Sequence, residues 1–135
     1  MADVVETLGG VPLFQGVKQK DLKKLAGRMQ ERSFGEGDEI TTEGKSGIGF
    51  FVIEMGNATV SIDGKIIRTL GPGEYFGEIA LIDSGPRSAT IVATTDLDCQ
   101  GLTAWEFRPF IEQHPEVAWA LLETLASRLR EAEKR

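Results

Sequence analysis

The sequence predicts an α+β, mainly β fold: an antiparallel jelly-roll barrel flanked by N-terminal helices and a C-terminal helix pair. Three observations carry this. Apolar residues recur at helical spacing near both ends but alternate with period two from Glu31 to Leu102. Turn signals cut that alternating region into short strands. The chain also holds 16 glycines, clustered between Gly35 and Gly85, as many tight turns require.

In chain order, a helix begun at Asp3 is broken by Gly9-Gly10-Val11-Pro12. Leu22, Leu25 and Met29 then share a helical face within Gln19–Gln30, flanked by lysines. Candidate strands are Glu39–Glu43, Ile48–Glu54, Asn57–Ile62, Lys65–Leu70, Ser88–Ala93 and Leu97–Leu102. Asp63-Gly64 is the two-residue signature of a tight hairpin, and Gly71-Pro72-Gly73 marks a second sharp bend. Short antiparallel strands at this spacing close into a barrel or jelly roll.

Thr103 and Glu106 have the spacing of a capping box, in which each side chain satisfies a free amide of the first helical turn. The helix they start ends at His114-Pro115, and Pro115 is suited to open the next one. That last helix runs towards Arg135, with Ala118, Leu121, Leu122, Leu125 and Leu129 read as one apolar stripe. The 135 residues thus divide into N-terminal helices (1–30), a barrel (31–102) and C-terminal helices (103–135) of a single domain.

Composition narrows the function. A net charge of −6 argues against a nucleic-acid partner, which needs a basic face. No apolar run has the length of a membrane span, and the N-terminus has no basic start with a long apolar stretch. A cytoplasmic protein is the expectation. The single cysteine, Cys99, has no partner for an internal disulfide and sits on an alternating strand, so it is read as core in a reducing compartment. One histidine, His114, at a helix junction, is a cap or a surface residue and supports no metal site. No Ser–His–Asp set or paired carboxylates argue for catalysis, so neither an enzyme nor a cofactor is expected.

The chemistry concentrates between Tyr75 and Thr90. The run from Glu78 to Ile82 reads as a one-turn helix, entered through Gly77 and left through Ser84-Gly85-Pro86. Its start offers free N–H groups to an anion, those of Ile79 and Ala80 included. Arg87, after the exit turn, is suited to grip a phosphate with two parallel hydrogen bonds. Glu78 supplies an acceptor for a sugar hydroxyl. Anion donors with one carboxylate inside an apolar barrel describe a pocket for a sugar phosphate carrying an uncharged base.

The cassette F-G-E-I-A-L-I-D-S-G-P-R-S-A-T, Phe76 to Thr90, resembles the phosphate-binding cassette of the cyclic nucleotide-binding domain family. The glycine-spaced runs Gly37 to Gly44 and Phe50 to Gly56 resemble that family too, and the likeness extends over roughly residues 11 to 130. It implies that Arg87 binds the cyclic phosphate, with the Ser88 hydroxyl and the amides of Ala80 and Ser88. It implies that Glu78 accepts the ribose 2′-hydroxyl and that Gly77 lets the backbone approach the sugar. Val60, Ile67 and Leu70 would line the base side, and Arg128 lies where several relatives send an arginine towards the base.

In the family that the chain resembles, serine after the arginine is common among bacterial cyclic AMP binders, so the resemblance implies cyclic AMP, with cyclic GMP the alternative. Ala132 and Glu133 stand where catabolite regulators carry hydroxyl residues that read adenine. The resemblance implies a regulatory sensor. The last helix is the movable apolar element that would cover the bound base, so its movement onto the nucleotide is the expected output, the alternative being a stripe that only packs against the barrel or a second copy of the chain. Its output would pass to a protein partner or a fused domain, and the C-terminal helix is a candidate homodimer contact. The competing expectation is an interaction module of the same fold that holds no ligand.

Overall fold

The computed structural model describes residues 4–41, 49–77 and 89–134. Val4–Gly9 forms α1, Pro12–Phe14 a 3₁₀ turn and Gln19–Ala26 α2. The strands are β1 (Gln30–Phe34), β2 (Glu39–Thr41), β3 (Gly49–Met55), β4 (Ala58–Ile62), β5 (Lys65–Leu70), β6 (Tyr75–Phe76), β7 (Thr90–Ala93) and β8 (Leu97–Thr103). The last two helices are α3 (Ala104–Gln113) and α4 (Pro115–Glu133).

The strands form two four-stranded sheets, ordered β1-β8-β3-β6 and β2-β7-β4-β5, with every pair antiparallel. This is the mainly β, jelly-roll type of α+β fold that the alternating pattern predicts. Ile53, Ala58, Val60, Leu70, Phe76, Ile91, Leu97 and Cys99, drawn from both sheets, fill the barrel core. A second core lies between the first sheet and the helices, built on Phe14, Phe50, Val52, Leu102, Phe107 and Phe110.

β3 belongs to both. Its alternation sends Phe50 and Val52 to the helices and Ile53 into the barrel. Phe50 stacks on Phe107 at 4.6 Å, and Phe14 meets Phe110 edge-on at 5.9 Å. Each such side chain contributes about 1.5–3 kcal/mol when fully buried. These contacts, more than local propensity, seat the short helices.

The predicted hairpin is present: Asp63 (φ 54°) and Gly64 (φ 76°) connect β4 to β5 through the left-handed region that a two-residue turn demands. The β3–β4 turn rests on Gly56, at φ 93°, where a Cβ would stand 2.2 Å from the Asp96 carbonyl oxygen. Asn57 crosses the same junction, its N–H donating to Thr95 Oγ1 at 3.0 Å.

Three expectations need correction. Thr103 does begin α3, but its hydroxyl donates to the Glu106 carboxylate at 2.7 Å, and no side-chain hydrogen bond caps the helix amides. The apolar stripe on α4 is buried along one side only. Leu121 is 3% exposed against the barrel side, whereas Leu122 and Leu129 are 56% and 59% exposed. One helix face suffices to dock α4, and neighbouring leucines point about 100° apart. Finally, β1 and β6 were not anticipated: β1 is held by its register with β8, Gln30 opposite Gly101 through Phe34 opposite Leu97, while its side chains are largely exposed.

A cleft between the barrel and the last helix

A cleft of about 440 Å³ opens where α4 passes the barrel. One wall is Ile67, Arg68 and Leu70 of β5, continued by Glu74 and Tyr75 at the entry to β6. The 3₁₀ turn adds Pro12 and Leu13, and α4 supplies Thr124, Ser127, Arg128 and Glu131. The α4 residues recur at three- and four-residue steps, so they share one side of the helix.

The bend before β6 is fixed by the Glu74 side chain and by backbone bonds to β3. Glu74 accepts from the Gly71 amide at 2.8 Å, while Gly73 donates to the Ile53 carbonyl and Ile53 to the Glu74 carbonyl, each at 2.9 Å. Those bonds set the direction in which Tyr75 leaves the turn, and Tyr75 packs 5.5 Å from Phe50 in the core between the first sheet and the helices. β6 then ends at Phe76, followed by Gly77 at φ 97° and half-buried.

Of the anticipated site residues, Ile67, Leu70 and Arg128 come together around this cleft. Val60 does not wall it: Ala58 and Val60 take the inward positions of β4, and Val60 is 2% exposed within the barrel core. Gly77 stands at the threshold of the cassette. Glu78, Ile79, Ala80, Arg87 and Ser88 lie outside the described residues, as does the expected one-turn helix from Glu78 to Ile82.

The cyclic nucleotide-binding domain family matches residues 31–114, more than half of the chain. The chain belongs to that family. Among its relatives, the Cyclic AMP receptor protein of Thermus thermophilus is 33% identical over 129 residues, 92% of this chain and 60% of that protein. The cAMP-dependent protein kinase regulatory subunit of Eremothecium gossypii is 38% identical over 91 residues, 67% of this chain and 20% of that protein. The solved structure of cAMP-bound PfPKA-R (141–441) superposes with a TM-score of 0.84 at 29% identity, covering 96% of this chain and 46% of that one. The chain therefore spans three-fifths or less of the length of each.

For a cyclic nucleotide-binding domain, the cleft shows what reading the sequence missed. Tyr75, Arg68, Pro12 and Leu13 reach it only through tertiary packing. Thr124, Ser127 and Glu131 had a usable signal, the polar row with Arg128 on one side of α4. Thr124 already donates to the Ala120 carbonyl at 3.1 Å, so its hydroxyl offers mainly its acceptor side.

Two other polar groups are structural. His114 joins α3 to α4, with Nδ1 2.9 Å from the Phe110 carbonyl and Nε2 3.4 Å from Asp21. Gln100, buried, donates to Glu54 at 2.8 Å. Cys99 lies in the barrel core, and burial pushes its thiol up to about 12, with the charges of Asp98 and Glu54 adding to the effect. Among the described residues no three metal-ligating side chains lie together, and no helix is long and apolar enough to cross a membrane.

Proposed function

We propose that this domain is a cytoplasmic cyclic nucleotide sensor whose ligand is cyclic AMP, acting by binding rather than catalysis. The observation that carries the reading is the cleft. Apolar Ile67 and Leu70 on the barrel and Arg128 on α4 line it together, with Tyr75 of β6 beside them. A volume of about 440 Å³ suits a nucleotide-sized ligand. In this reading Arg87 and Ser88 hold the phosphate with the amides of Ile79 and Ala80, and Glu78 takes the ribose hydroxyl. The base lies towards β5 and Arg128. The relatives named for cyclic AMP support that ligand over cyclic GMP.

Because α4 forms one wall and the barrel the other, a ligand touching both favours one placement of the helix. We take that shift as the output, delivered to a protein partner or a fused domain, with no role in binding nucleic acid. Calorimetric titration with cyclic AMP and cyclic GMP tests the ligand. The expected result is saturable 1:1 binding, tighter for cyclic AMP, with about 2.7 kcal/mol of added stability at a hundredfold excess over the dissociation constant. Absence of binding by either at millimolar concentration would instead favour an interaction module of the same fold.

A further inference from the structure

The first sheet outruns the helices packed on it. Cross-strand partners share a face, so Glu31 of β1, Gln100 of β8 and Val52 of β3 form one row. Val52 is buried there in the core beneath the helices. In the next row stand Ser33, Asp98 and Met55, and Met55 is 63% exposed. A groove of about 360 Å³ lies at this end of the sheet. Val4 of α1, Met29 and Met55 give it apolar walls.

Its polar lining is acidic. Glu31, Glu54 and Asp98 line the groove with Gln100, and among the described residues no lysine or arginine joins them. Glu54 accepts from Gln100 Nε2 at 2.8 Å and from Thr7 Oγ1 at 3.2 Å. Asp98 accepts from Ser33 Oγ at 2.8 Å. These donors are neutral, so they orient the two carboxylates without cancelling their charge. The same two charges help push up the Cys99 thiol, which lies on the barrel side of the sheet.

We propose that the groove docks a basic peptide segment of a protein partner, centred on an apolar residue. The apolar side chain enters beside Met29 and Met55, and flanking lysine or arginine side chains pair with Glu31 and Asp98. Methionine is unbranched and polarisable, so it accommodates apolar groups of varied shape, and the groove has room for one such group. Asp98 is half-buried, which keeps its charge less screened than that of an open surface carboxylate and makes the site selective for charge sign. Nucleic acid, phosphopeptides and anionic membranes are the wrong occupants, since each would meet three carboxylates. The groove shares no residue with the cleft beside α4, so docking there needs no bound nucleotide.

The test is an NMR titration of the full isotope-labelled chain, without nucleotide, with the capped peptide Arg-Lys-Leu-Leu-Arg-Lys. Amide shifts centred on Glu31, Met55 and Asp98 should saturate with a dissociation constant of about 0.1–1 mM. A peptide with glutamate for every basic residue should cause none, and glycine for both leucines should weaken binding by about tenfold. Glu31→Lys and Met55→Ser, both at exposed positions, should keep the circular dichroism spectrum and weaken binding by about threefold or more. No shifts at the groove, shifts centred elsewhere, equal binding of the acidic peptide, or full affinity in either variant would each overturn the proposal.

Discussion

Replacing Gly56 by alanine isolates the cost of one close backbone approach. At φ 93° the new side chain meets the left-handed penalty, about 1–2 kcal/mol. Its Cβ would also stand 2.2 Å from the Asp96 carbonyl oxygen and 2.8 Å from Thr95 Oγ1. Relief requires the β3–β4 and β7–β8 turns to separate, stretching the bond from the Thr94 amide to the Asn57 carbonyl, now 2.9 Å. Overpacking of this kind adds about 1–3 kcal/mol, for a total near 2–5 kcal/mol. Gly64→Ala is the control, for there φ is 76° but nothing lies within 4 Å of the added atom. It should lose only the first part, about 1–2 kcal/mol. Urea unfolding followed by circular dichroism measures both, and at about 4 °C per kcal/mol thermal melts should separate them too. Equal losses in the two variants would refute the clash argument.

Arg87→Ala should weaken cyclic AMP binding by about tenfold or more while the fold survives, because a charge-assisted pair worth about 1.5–3 kcal/mol is lost; calorimetry checks this, and unchanged affinity would move the phosphate elsewhere. Leu121→Ala, at 3% exposure, should cost about 2–5 kcal/mol in urea unfolding. For Cys99, both folded and unfolded states keep the thiol proton well below pH 9; above it the unfolded thiol ionises first, so stability should fall as the pH rises towards about 12. Cys99→Ala should flatten that part of the pH profile. Saturating cyclic AMP should slow hydrogen exchange across Leu121–Arg130; identical protection with and without nucleotide would leave α4 as scaffold.

Where local chemistry decides structure, the sequence could be read directly. Asp63-Gly64 names its own turn because few dipeptides tolerate two positive φ values. Pro115 marks the start of α4 for a similar reason. β1 was hidden because Gln30-Glu31-Arg32-Ser33-Phe34 has no apolar alternation; only its partner β8 makes it a strand. The pairing of Thr103 with Glu106 was legible as a contact but not in its direction, since the hydroxyl can donate to the carboxylate or accept from an amide. The cleft was half-legible. Ile67, Leu70 and Arg128 were anticipated from the family resemblance, whereas Tyr75 and Pro12 arrive from distant segments that only the folded chain assembles.

β3, shared between the two cores, makes the limits of the family module a poor guide to where the chain can be cut. A piece trimmed to residues 31–114 would keep Phe50, Val52 and Leu102 but lose Leu8, Val11, Phe14, Val117 and Leu121 that cover them. Its central strand would present one greasy flank to water, and such a piece should aggregate sooner than fold. The flanking helices are the roof of the barrel. Anyone grafting this sensor onto another protein must therefore carry both ends across with it.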